Sequence, residues 1–138
     1  MSTQHSGGCL CEAVRYEFSV DPLMTVHCYC RDCQKVTGSA FTTVLAVPRT
    51  AFHLLRGELG SFTVTANSGN NVTREFCQTC GSPLFTKAEM VPDAIFIKAG
   101  SLDDASWLKP TVSCWTSRAH PWAPIAAGVQ QCPENPSL

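Results

Sequence analysis

Apolar and polar residues alternate, or run in short apolar blocks, along most of this chain. From Ala13 to Val20, Val14, Tyr16 and Phe18 fall on one side and Arg15 and Glu17 on the other. That period of two is the mark of a half-buried strand. Met24 to Cys28 predicts a second strand, and Ala40 to Val47, apolar and β-branched until Pro48, a third. Phe52 to Arg56 predicts a short strand ending at Gly57, and Ser61 to Ala66 alternates again, with Phe62 and Val64 on one face. Asn67-Ser68-Gly69-Asn70-Asn71 is a turn cluster. Val72 to Phe76 leads into Cys77, Ala94 to Ala99 ends at Gly100, and Thr111 to Thr116 is the last expected strand. Helix is scarce: one helical turn from Arg31 to Thr37, closed by Gly38, and a short helical turn from Leu102 to Leu108. Strands with turn signals every ten or so residues predict a mainly β domain of antiparallel sheets.

The 138 residues are enough for one domain, expected over residues 1–129. Residues 130–138, with Pro133 and Pro136 and few apolar side chains, read as a loose tail. There is no internal repeat. Ten Lys and Arg stand against eleven Asp and Glu, a formal net charge of −1. Without a basic face, a nucleic-acid or membrane-surface partner is not expected. No apolar run approaches the roughly 18–20 residues of a membrane helix. The start, Met1-Ser2-Thr3-Gln4-His5, lacks the charged and apolar regions of a signal peptide. A cytoplasmic location is therefore expected.

The cysteines change the picture. There are nine, an odd number, in a chain expected to sit where disulfides do not persist. Seven fall into three tight clusters: Cys9 and Cys11; Cys28, Cys30 and Cys33; Cys77 and Cys80. Metal binding explains such clusters better than disulfides do. In Cys77-Gln78-Thr79-Cys80-Gly81, two thiolates can turn toward one ion, and Gly81 supplies the positive φ that such a turn often needs. Cys9, Cys11, Cys77 and Cys80 then add up to the four thiolates of a closed structural zinc site. A redox pair is the alternative for Cys77 and Cys80, but no βαβ pattern surrounds them.

Cys28, Cys30 and Cys33 give three ligands, and three plus an open position is the arrangement of a catalytic zinc. One of the three could instead be a free nucleophile. A second structural site, completed by His27, His53, His120 or Cys114, is the other reading. Cys114 reads as a buried strand cysteine and Cys132 as an exposed tail cysteine. His27 should face away from Cys28, since strand neighbours point opposite ways. Arg31 and Lys35 flank the cluster; they either face solvent or offset its charge and receive a substrate carboxylate. Trp107, Trp115 and Trp122 read as core or pocket wall.

With these residues in hand, the chain resembles a known family. The segments Gly7-Gly8-Cys9-Leu10-Cys11, His27-Cys28-Tyr29-Cys30-Arg31-Asp32-Cys33-Gln34-Lys35 and Gly38-Ser39-Ala40-Phe41 resemble the glutathione-dependent formaldehyde-activating enzymes, a family that includes centromere protein V. The likeness continues through Arg74-Glu75-Phe76-Cys77, Cys80-Gly81-Ser82-Pro83-Leu84-Phe85 and Lys98-Ala99-Gly100-Ser101-Leu102-Asp103-Asp104. It runs from about residue 5 to about residue 125. It departs at Glu12, where members usually carry glycine, so that turn must accommodate a side chain.

The resemblance implies a zinc-stapled β tent of three small sheets. It implies two zinc ions per chain: a structural one on Cys9, Cys11, Cys77 and Cys80, and a catalytic one on Cys28, Cys30 and Cys33. It implies a carbon–sulfur lyase that joins a thiol such as glutathione to formaldehyde or a related small carbonyl, giving S-hydroxymethylglutathione in the type enzyme. A lyase acting on another thiol adduct, and a non-catalytic zinc-stabilised binding module, are the competing expectations. Whether the second zinc site has an exchangeable ligand separates the module from the enzymes.

Overall fold

A computed structural model describes residues 4–136. The first three residues of the expected leaderless start and the last two of the expected tail lie outside them. Eleven strands and one α-helix follow in order: β1 His5–Gly8, β2 Arg15–Phe18, β3 Met24–Cys28, α1 Arg31–Thr37, β4 Thr42–Pro48, β5 Phe52–Arg56, β6 Leu59–Thr65, β7 Asn71–Cys77, β8 Pro83–Ala88, β9 Ala94–Lys98, β10 Val112–Cys114 and β11 Gln130–Gln131.

The strands form a small sheet, β1-β2-β5, and a large one, β11-β10-β3-β4-β9-β8-β7-β6. Within the large sheet β8 and β9 share only two residue pairs, Phe85 with Ile97 and Thr86 with Phe96. That short seam joins five strands to three, so the mainly β, helix-poor architecture is present as two sheets, the expected three being merged to two across this seam. Pairing is antiparallel except at one edge, where β10 runs parallel to both β3 and β11.

The main core lies between the two sheets. Val14, Tyr16 and Phe18, the apolar side read from the sequence alternation, meet Leu45, Val47, Phe85, Ile95 and Ile97 of the large sheet. Tyr16 packs edge-on to Phe85 with ring centroids 5.2 Å apart, and its hydroxyl bonds Ser101 Oγ at 2.6 Å. A second apolar cluster, Val26, Val44, Val112, Cys114 and Cys132, sits on the other face of the large sheet.

Several elements differ from the sequence expectation. β1 has no apolar alternation. Its glycines are required by space, because a Cβ on Gly7 would overlap Tyr16 and the Ser101 carbonyl oxygen. β8 begins at Pro83, which is tolerated as the first residue of a strand. Leu102 to Leu108 forms no helix; Leu102 bridges to Gly7, and Asp104 caps a turn by accepting from Ser106 N at 2.9 Å. β10 stops at Cys114 because Trp115 takes a left-handed conformation, φ 56°. Gln130 and Gln131, expected in the loose tail, pair with β10, and Cys132 is buried rather than exposed. Its backbone explains this: Cys132 N donates to Ser113 O at 2.8 Å.

Candidate metal centres

Two groups of cysteines converge. The sulfurs of Cys9, Cys11, Cys77 and Cys80 lie within 4.8 Å of one another, as do those of Cys28, Cys30 and Cys33. All nine cysteines are free.

The four-cysteine group is built from two tight turns. After β1, Cys9 N donates to Val14 O and Glu12 N to Cys9 O, at 3.2 and 3.1 Å. The turn closes through Glu12 at φ 65°, so it accommodates a side chain in the left-handed region. After β7, Gly81 at φ 79° lets its N–H return to Cys77 O at 2.9 Å. Backbone N–H groups point at the sulfurs: Val14 N at Cys9 Sγ, 3.2 Å, and Thr79 N and Cys80 N at Cys77 Sγ, 3.3 and 3.4 Å. Such donors favour thiolates over thiols. Ser82 holds the Cys80 thiol well below its usual value, at about 5. A regular tetrahedron of sulfurs at the usual Zn–S length has edges of about 3.8 Å. Here Cys9 and Cys11 sulfurs are 3.6 Å apart and those of Cys11 and Cys77 3.8 Å, so the group fits a zinc ion.

The three-cysteine group sits where β3 gives way to α1. Cys28 ends β3, Cys30 is the N-cap of the helix, and Cys33 lies in its first turn. Cys33 N donates to Cys30 Sγ at 3.3 Å, and Gly38, at φ 64°, closes the helix as expected. Packed together, the sulfurs oppose one another's ionisation. The Cys28 thiol is pushed up, first by Cys114 and then by Cys30, and Cys33 is pushed up first by Cys28. A divalent ion reverses that sign, since a coordinating thiol is deprotonated. The donor set therefore fits zinc as well.

Of the residues considered as a fourth ligand, none joins this group. His27 turns away and bonds Thr43 Oγ1 through Nδ1 at 2.8 Å, and burial lowers its pKa. His53 lies on β5 in the other sheet. His120 Nε2 meets Gln34 Oε1 at 2.8 Å and its ring stacks on Trp122. Cys114 is the parallel-strand partner of Cys28 but lies outside the set of mutually close sulfurs.

Two cavities flank the helix. A cleft of about 750 Å³ is lined by, among others, Arg15, Thr37, Thr42, Lys98, Ser101 and Asp103. It reaches Cys9 and Ser82 of the four-cysteine group. Its contact with the three-cysteine group is through neighbours: Thr42 pairs with Cys28, and the Thr37 hydroxyl donates to Cys33 O at 2.8 Å. A smaller cavity of about 260 Å³ is lined by Arg31, Lys35, His120 and Trp122. Gln34 organises it from beneath, donating to Tyr29 O and Arg118 O at 2.7 and 3.1 Å and accepting from Arg31.

Lys98 and Gln34 escaped the sequence reading of the site. Lys98 left one signal, a lone charge closing the apolar run Ala94-Ile95-Phe96-Ile97. Gln34 left none beyond its place beside Cys33.

The model of the family described as "glutathione-dependent formaldehyde-activating enzyme" matches residues 4–118. The chain belongs to this family. A crystal structure of a Rhodobacter sphaeroides protein, a structural-genomics target, is similar at TM-score 0.59 and 19% identity, covering 76% of this chain and 91% of that one. At that identity the likeness speaks for the fold alone. The three cysteine clusters all lie within the matched residues. Among the described residues no helix is long and apolar enough to cross a membrane.

Proposed function

We propose that this member of the formaldehyde-activating family is a zinc-dependent carbon–sulfur lyase. It adds a thiol, glutathione or one like it, to formaldehyde or a related small carbonyl. The observation that carries this reading is the contrast between the two cysteine groups. One offers four sulfurs, enough to close a tetrahedron. The other offers three sulfurs at one point, with a cleft walled by their nearest neighbours.

Cys9, Cys11, Cys77 and Cys80 would hold a structural zinc, and Cys28, Cys30 and Cys33 a catalytic one. A zinc ion on three thiolates supplies a deprotonated, nucleophilic substrate thiol. With zinc bound, Cys28, Cys30 and Cys33 would fix where that sulfur sits. The cleft at Thr37 and Thr42 admits the carbonyl compound. In the condensation the substrate sulfur would form the new C–S bond, the C=O π pair would move to oxygen, and the proton given up by the thiol would be returned to that oxygen through solvent. The reverse reaction releases the thiolate. Such chemistry suits the cytoplasm, where thiols stay reduced.

The test is Cys30→Ser. The variant should fold, keep one zinc per chain and lose thiol–formaldehyde condensation. A folded Cys30→Ser protein with full activity overturns the reading. One observation favours the second reading, a non-catalytic zinc module: Cys114 faces Cys28 across parallel strands and could close the second site. Cobalt substitution separates the two. Added thiol should shift the charge-transfer bands of an open site and leave those of a closed one unchanged.

A further inference from the structure

Lys98 closes β9 and is buried, with 7% of its surface exposed. Its Nζ donates to Thr42 Oγ1 at 2.9 Å. A hydroxyl is neutral, and it satisfies one of the three donors of an ammonium. The ion pairs among the described residues join Arg15 to Asp103 and Lys87 to Glu75, so no carboxylate meets Lys98. Arg74 adds a charge of the same sign nearby. An ammonium taken out of water without a counter-ion is costly, so an anion must be sought.

The sheet register shows where. Cys28 pairs with Thr42, and Val44 with Lys98. Residues directly paired, and residues two apart on a strand, share a face. Cys28, Thr42 and Lys98 therefore project from one side of the large sheet, with Thr42 between the other two. Burial lowers the pKa of Lys98, and the charges of Cys33, Cys28 and Cys30 oppose that fall. Three thiolates around a divalent ion leave one net negative charge, and a bound thiolate substrate adds another. Of the two cations beside the cluster in sequence, Arg31 is engaged by Gln34 and Lys35 is exposed.

We propose that Lys98, held by Thr42, is the counter-cation of the three-cysteine centre, a positioning residue that stabilises its metal and the second negative charge brought by a thiolate substrate. The proposal rests on the metal reading given under Proposed function. Thr42, the pair partner of Cys28, then has a role of its own, holding the ammonium in place.

The experiment titrates reduced, metal-free protein with cobalt(II) and reads the sulfur-to-cobalt charge-transfer bands. Wild type should take two cobalt ions. Lys98→Met, close in shape and uncharged, should bind the second ion at least about tenfold more weakly, the range for partners that support a metal's ligands. The first ion, at the four-cysteine group, should bind unchanged and so report that the fold is intact. Lys98→Arg should recover most of the loss, which a packing role would not produce.

Equal second-site affinity in wild type and Lys98→Met overturns the proposal, as does a Lys98→Arg protein no better than Lys98→Met. If metal affinity is unchanged and KM rises for glutathione but not for uncharged 2-mercaptoethanol, Lys98 serves a substrate carboxylate instead and the proposal is also overturned. A wild type that takes one cobalt overturns the metal reading itself, a distinguishable failure.

Discussion

The backbone of Gly7 lies against the ring of Tyr16, leaving no room for a methyl group between that ring and the carbonyl oxygen of Ser101. Tyr16 is fully buried and bonded to Ser101 Oγ, so neither neighbour can yield cheaply. Gly7→Ala should therefore cost about 1–3 kcal/mol, the usual range for overpacking. Urea unfolding should show a lower midpoint at unchanged slope. An unchanged midpoint would show that β1 can move away from Tyr16.

Glu12 holds a left-handed backbone, φ 65°, and its carbonyl accepts from Arg56 Nε and Nη2 at 3.3 and 3.0 Å. An L-residue there carries a penalty of about 1–2 kcal/mol that glycine does not. Glycine's extra freedom in the unfolded chain returns part of this. Glu12→Gly should raise Tm by about 1–4 °C, and Glu12→Val should lower it. Thermal unfolding of both variants checks the sign.

Asp103 accepts from Arg15 Nη1 and Nη2 at 2.9 and 2.5 Å and from Ser6 Oγ at 2.7 Å. The Arg15 guanidinium, then Ser6, holds its carboxyl down at about 2. A depressed folded-state pKa means the folded chain binds fewer protons. The stabilisation is complete above the unfolded value of about 3.9 and is lost as pH falls toward about 2. Asp103 is 48% exposed, so its share is at most about 1 kcal/mol. The stability gap between wild type and Asp103→Asn should shrink across that window, and in high salt.

The four-cysteine group links segments 66 residues apart, from Cys11 to Cys77. Binding free energy at such a site is folding free energy. Cys77→Ser should yield a chain without a cooperative thermal transition. Strong chelators should unfold the wild type on the timescale of metal release. A Cys77→Ser protein melting like wild type would remove the structural role.

Local chemistry is legible in the sequence, and long-range placement is not. The pattern predicts β3 and β5 at their observed bounds because an apolar run between turn residues is a local signal. The helix from Arg31 to Thr37 is legible for the same reason, with Gly38 as its stop. The cysteine spacings mark both groups because each turn brings its own sulfurs together. β1 and β11 carry Gly-Gly and Gln-Gln, and only their partners make them strands. Lys98 depends on Thr42, 56 residues away, and on the register that brings β4 between β3 and β9. No local pattern encodes that meeting.

The closing strand β11 does more than lengthen the larger sheet. Trp115 N donates to Glu134 O at 2.9 Å and Trp115 Nε1 to Asn135 Oδ1 at 2.8 Å, so the last turns of the chain lie along β10 like a seal. At the far end of the same sheet, β6 has no strand beyond it among the described residues, and Phe62 there is 68% exposed. An unpaired edge is a template on which another chain can add a strand. The large sheet thus ends in an edge of two residues at β11 and one of seven at β6, and a strand added from another chain would start from β6.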